Sequence, residues 1–182
     1  LNLKIYKYKY KYKYNNIMTY KNKQILQTNL NIESKDLNKD IDNVIINKLK
    51  EKYEGLCSEH GYILPDTIEL INRKLGTINT INNVSNISYI VNYQADIIYP
   101  SEGDKLLIIV DRINKMGVLG YIETNKTGFE NSPLIVIIPN EYFTEKTRDI
   151  NSITIKQKIE VKILGCRIKY GTKKIQIIAE PF

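Results

Sequence analysis

An α+β N-terminal unit followed by an all-β, five-stranded barrel is the fold class that the sequence predicts. Three observations carry it. Between Met18 and Tyr99 a single helical pattern is flanked by strand patterns. From Asp104 onward every strong pattern is β. Between them lies Pro100–Ser101–Glu102–Gly103–Asp104, the clearest break in the chain.

In order, Lys23 to Ile32 partly alternates and reads as a first strand. A polar stretch, Glu33 to Asp40, supplies several N-cap candidates. Ile41, Val44, Ile45, Leu49 and Tyr53 then recur at helical spacing and form one apolar stripe. Asp36, Asp40 and Asp42 near its start and Lys50 and Lys52 near its end suit the helix dipole. Gly55 is placed to end it. Two strands are expected next, about Gly55 to Ser58 and Tyr62 to Leu70, with a tight turn at His60–Gly61 and a bulge at Pro65–Asp66. Arg73 to Thr77 reads as a turn, and Gly76 begins a further strand toward Thr80. Asn82, Asn83, Ser85 and Asn86 suggest a polar loop, and Ile87 to Tyr99 alternates as a strand.

The second unit opens with a hairpin over 104–122 that turns at Lys115–Met116–Gly117. Glu123 to Ser132 is a polar connection, and Pro133 to Ile138 a short buried strand stopped by Pro139. Asn140 to Asn151 is charged, with room for one helical turn. Thr154 to Lys169 alternates, with Ile155, Ile159, Val161, Ile163 and Ile168 expected inside. Tyr170–Gly171–Thr172 is a turn, and Lys173 to Ala179 the last strand. Five strands with a longer insertion between the third and fourth match an OB-fold barrel.

Residues 1–17 are low-complexity, with Lys and Tyr alternating at period two. They are expected to be a disordered or non-native tail, with Met18 as the biological start. The domain division is therefore 1–17 tail, 18–99 α+β unit and 100–182 barrel. The formal net charge is +7 over 182 residues. Five lysines of the tail supply most of it, leaving +2 for the rest. Within the rest, 146–174 is locally basic, which points to a surface that meets a polyanion.

No apolar run approaches the ~20 residues that cross a bilayer, so no membrane partner is expected. Cys57 and Cys166, with the single His60, are too few for a zinc site without carboxylates. Both cysteines are expected as small buried hydrophobes. GxxxxGK[ST], GxGxxG, HExxH and GxSxG are all missing, and the carboxylates form no acid/base pair. His60 has no Ser or Cys nucleophile at motif spacing and reads as a turn histidine. Hence no catalytic residue, metal or cofactor is assigned. What remains is a binding surface: cations for phosphates and ring faces for bases. The candidates are Arg112, Lys115 and Tyr121 on the first hairpin, and Lys162, Arg167, Lys169 and Tyr170 on the fourth strand and its turn.

Four segments together resemble a known family: 52–71 with Glu54–Gly55, Cys57 and Gly61; 90–122 with Gly103–Asp104 and Asn114–Lys115–Met116–Gly117; 133–143; and 155–182 with Ile163–Leu164–Gly165–Cys166–Arg167. Their order and spacing are similar to the stalk subunit of multisubunit DNA-directed RNA polymerases, the seventh subunit of eukaryotic polymerase II and its archaeal counterpart. The resemblance covers roughly residues 23–182. It implies a tip domain that plugs into the polymerase core near the clamp, and an OB domain that meets single-stranded nascent RNA. It puts His60, Gly61, Lys74 and Gly76 at the core-facing end, Lys115 in the first-hairpin turn and Arg167 on the fourth strand. It also implies RNA polymerase core subunits as partners, and a helical stalk partner subunit at the tip–barrel junction. The tail has no family counterpart, and the loop near Asn82–Asn86 lacks the family's Gly/Pro-rich character. The AT-rich residue usage suggests a large DNA virus with its own polymerase as the source. An intracellular location follows: host cytoplasm or virion if viral, nucleus otherwise. The alternative reading is a free-standing OB-fold RNA-binding module in translation or RNA decay.

Overall fold

The computed structural model describes residues 21–37, 40–81, 84–123, 128–143 and 149–182. The tail and the cations Lys146 and Arg148 lie outside these residues. A six-stranded antiparallel sheet with one α-helix precedes a closed five-stranded barrel, so the α+β-then-OB-barrel fold class holds.

The first sheet is built along one long strand. β1 (Lys21–Glu33) pairs with β6 (Val84–Ile98) over its whole length without a register shift. Along the other side of β6 come β3 (Gly61–Ile63), β4 (Glu69–Arg73) and β5 (Thr77–Ile81). β2 (Cys57–Ser58) completes the sheet beside β3. α1 (Ile41–Tyr53) is capped by the Asp40 carboxylate, which accepts from the Asn43 N–H. That bond satisfies one of the donors a helix start leaves free. Ile45 and Leu49 are fully buried against the sheet. Burial of two such side chains stabilises the layer by about 1.5–3 kcal/mol each. Tyr53 stacks on Tyr93 with ring centroids 5.8 Å apart and shares a 2.7 Å hydrogen bond with Thr28. The sheet's other face carries an amide network, in which Gln27 donates to Asn92 and Asn92 donates to Asn72, together with the exposed Ile25 and Ile90.

Three expectations are corrected in this region. The strand expected over 62–70 is two strands, β3 and β4, which run along β6 in the same direction as each other; the bulge expected at Pro65–Asp66 is present, with Asp66 at φ +61°, but it takes Leu64 to Ile68 out of the sheet. The turn before β3 uses Glu59–His60, and Gly61 already belongs to the strand. Ser85 and Asn86 are not loop but the start of β6, paired with Thr80 and Asn79. Polar composition there reflects an exposed hairpin end, and backbone pairing overrides it.

The barrel closes in the order β10–β11–β9–β8–β7. Its strands are β7 (Lys105–Asn114), β8 (Gly117–Tyr121), β9 (Leu134–Pro139), β10 (Lys158–Arg167) and β11 (Ile175–Pro181). β9 and β11 are parallel, and the other neighbours are antiparallel. Closure leaves no free edge. The inside is aliphatic, with Ile108, Leu134, Ile138, Ile159, Ile163 and Ile175 fully buried. Gly117 is required here: it sits at φ +137°, and a Cβ would meet the Ile138 carbonyl oxygen at 2.0 Å. β10 begins only at Lys158, because Lys156 takes φ +67° and Thr154–Gln157 forms a turn. Ile155 is therefore 60% exposed rather than inside.

The barrel core runs without a break into the first unit. Cys57, Tyr62 and Ile98 belong to the same buried cluster as the barrel interior. Backbone bonds seal the contact: Cys57 N–H donates to Thr172 O at 2.7 Å, and Gly171 N–H donates to Cys57 O at 2.8 Å. Cys57 is buried as expected, and burial pushes its thiol pKa up. Cys166 is exposed, with its Sγ 3.2 Å from Pro100 O.

Candidate nucleic-acid interface

Strand register decides which candidates share a surface. Two outward-facing rows cross the barrel. The first reads Arg112–Leu119–Ile137–Ile178–Gly165, and the second Ile109–Tyr121–Ile135–Gln176–Arg167. Arg112, Tyr121 and Arg167 thus stand on one wall, with the two arginines on opposite sides of it. Three strand spacings, roughly 14 Å of arc, separate Tyr121 from Arg167. Lys115 lies exposed in the β7–β8 turn.

Lys162 is elsewhere. It faces out beside Lys105 and Glu180, and its ammonium lies 3.4 Å from the Glu180 carboxylate. The other cations divide in the same way. Arg112 sits 3.3 Å from Asp111, and Lys158 3.0 Å from Glu123. Lys174 lies over the Phe129 ring and donates to that residue's carbonyl at 2.8 Å. Among the described residues of the barrel, Lys115, Lys156, Arg167, Lys169 and Lys173 are exposed and make no ion pair. The free positive charge of the barrel therefore lies at the β7–β8 turn, at the turn before β10 and at the β10–β11 turn.

The β10–β11 turn has a second task. Lys169 O accepts from the Thr172 N–H and hydroxyl, which fixes the loop. The same loop holds Cys57 through Gly171 and Thr172. Its cations are thus displayed beside the junction of the two units. Tyr170 is 68% exposed there. Tyr121 offers only part of its ring, because Phe129 packs against it edge-on at 6.1 Å.

The residues assigned to core docking do not cluster. Gly61 packs against Ile98 at the barrel end of β6, where a Cβ would meet the Ile98 carbonyl oxygen at 2.5 Å. His60 is beside it, its N–H donating to Ser58 Oγ and its Nε2 3.4 Å from Glu59. Lys74 donates its N–H to Ile90 O, eight residues further along β6. At about 3.3 Å per residue, that is roughly 26 Å away. Gly76 is near Lys74, and a Cβ on it would strike Ile87 and Tyr89. The Lys74–Gly76 link between β4 and β5 is also apolar on its surface, with Leu75 91% and Ile78 72% exposed.

Sequence reasoning overlooked the apolar residues of the barrel wall. Pro133 to Ile138 reads as a buried strand, yet Ile137 is 40% exposed, and Ile178 on β11 is 48% exposed. The signal was present: a strand apolar at every position must turn alternate residues outward when only one face has a core. Among the described residues, no group of three or more His, Cys, Asp or Glu is placed to hold a metal ion. No helix among them is long and apolar enough to cross a membrane.

No protein-family model matches the chain. It is similar to the DNA-directed RNA polymerase II subunit RPB7 of Glycine max, with 24% identity over 159 residues. The match takes in 79% of this chain and 83% of that protein. Neither the helix-backed sheet nor the barrel alone contains that share of the chain. The similarity therefore extends through both units, from the helix-backed sheet into the OB barrel.

Proposed function

We propose that this chain is an RPB7-like, non-catalytic stalk subunit of a DNA-directed RNA polymerase. The observation that carries the reading is an α+β sheet sealed to an OB barrel through Cys57, matched across both units by the polymerase subunit. In this reading residues 18–99 dock on the core near the clamp, and residues 100–182 meet nascent RNA.

The exposed Leu75 and Ile78 support docking through the Lys74–Gly76 link, where apolar surface awaits cover. His60 and Gly61 lie at the junction instead, the site we assign to a helical stalk partner. RNA contact rests on the free cations Lys115, Arg167 and Lys169. Such contact is weak and sequence-tolerant, and assembly on the polymerase compensates by holding the transcript close. The location in this reading is intracellular, where the polymerase works.

Co-purification from the native source tests the assignment. Large polymerase subunits are the expected companions; recovery of ribosomes or nucleases in their place would overturn it. Lys115→Glu combined with Arg167→Glu tests the RNA contact. Loss of two phosphate contacts lowers the slope of log K against log salt by about 1.4. Unchanged affinity for a single-stranded RNA at low salt refutes these positions.

A further inference from the structure

The barrel wall between the two arginines is the wrong chemistry for stacking bases. Leu119, Ile137 and Ile178 form one outward row, and Tyr121 and Ile135 extend it into the next. A base-stacking platform needs ring faces. The one ring in these rows, Tyr121, is already packed edge-on against Phe129. The aliphatic centres span two strand spacings across and one residue pair along, roughly 10 Å by 7 Å. Gly165 borders Ile178 with nothing within 4 Å of where a Cβ would be, so the wall is flat and open on that side.

The charge within these two rows has one sign to offer. The two rows contain no carboxylate. Arg167 closes one corner and makes no ion pair among the described residues. Arg112 closes the other and is already beside Asp111. Within the two rows the free charge is therefore positive.

We propose that the β8–β9–β11 wall is a protein-docking surface for an amphipathic helix, one whose aliphatic stripe is flanked by aspartates or glutamates. A helix with apolar residues at i, i+3, i+4 and i+7 presents a stripe of about the patch's dimensions. Its flanking acid meets Arg167. The apolar wall then supplies the affinity and Arg167 the orientation. This surface is distinct from the Lys74–Gly76 link and holds whether or not the chain serves a polymerase.

Isoleucine δ-methyl NMR of the full chain reads the site directly. The probe is an 18-residue helical peptide with a Leu stripe and Glu flanks. Two controls accompany it: the same stripe with Lys flanks, and a single-stranded oligouridylate. The Glu peptide is expected to shift the Ile135, Ile137 and Ile178 methyls, with the Lys peptide at least tenfold weaker. Ile137→Lys with Ile178→Lys should weaken the Glu peptide about tenfold even though both changes add attraction for acid. Both side chains point outward, so the barrel core is untouched, and methyl shifts of Ile108 and Ile163 report that the fold is kept. Arg167→Glu should weaken binding and remove most of its salt dependence. Three results overturn the proposal: no shift with the Glu peptide, equal shifts with the Lys peptide, or wall shifts produced by the oligonucleotide alone. Concentration-dependent wall shifts without any probe, the mark of a second copy on this face, also overturn it.

Discussion

Gly61→Ala separates a structural glycine from a docking residue. Gly61 sits at φ +124°, where an L side chain is strained. That strain costs about 1–2 kcal/mol. A new Cβ would also lie 2.5 Å from the Ile98 carbonyl oxygen and 2.8 Å from Ile97 Cγ2. The oxygen belongs to β6 and cannot rotate away, so β3 must move off its partner strand. Overpacking of this kind costs about 1–3 kcal/mol more. The total is about 2–5 kcal/mol. For a chain of this size each kcal/mol lowers Tm by about 2–4 °C. Gly103→Ala is the matched control: φ is +86°, but nothing lies within 4 Å of its Cβ position. It should show the conformational cost alone, about 1–2 kcal/mol. Denaturant and thermal unfolding of the two variants measure the difference. Equal losses would refute the close-approach account. A Gly61→Ala protein of full stability that fails only to bind a partner would favour the docking role instead.

Other outcomes follow from burial. Ile159→Ala should cost about 2–5 kcal/mol, whereas Ile155→Ser should be almost silent, because one is fully buried and the other exposed; chemical denaturation ranks them. Burial, with smaller contributions from Tyr53 and Tyr170, pushes the Tyr93 hydroxyl well above its ordinary pKa. The folded state therefore holds that proton more tightly than the unfolded chain, and stability falls as pH rises above about 10. Tyr93→Phe should flatten that alkaline loss, and urea midpoints taken at pH 9 and above check it. In the native protein a thiol reagent should modify exposed Cys166 and spare Cys57. Mass spectrometry after brief labelling distinguishes them, and comparable labelling of both would refute the sealed junction.

Local pattern carried much of the fold because each strong element buries one face. The stripe through Ile45 and Leu49, capped by Asp40, predicts α1. The alternation in Ile87–Tyr99 predicts most of β6. Reading failed where backbone geometry overrides composition. Asp66 and Lys156 at positive φ break two predicted strands, and pairing with β5 draws Ser85 and Asn86 into β6. For the candidate interface, residue types were legible but their grouping was not. Lys162 and Arg167 lie on one strand, yet the first joins Glu180 in an ion pair and the second stands free beside an aliphatic wall.

By itself the sequence determined the order of the two units, the barrel's strand number and the supply of cations. These depend on periodicity and on residues close in the chain. Tertiary structure decided the rest. It placed Gly61 at the C-terminal end of β6 and Lys74 eight residues away beside its middle, tied the β10–β11 turn to Cys57, and joined Leu119, Ile137 and Ile178 into one surface. Each of those relations is set by register between strands distant in sequence. A shift of one residue would turn every side chain on a strand to the other face, and only the paired strands specify it.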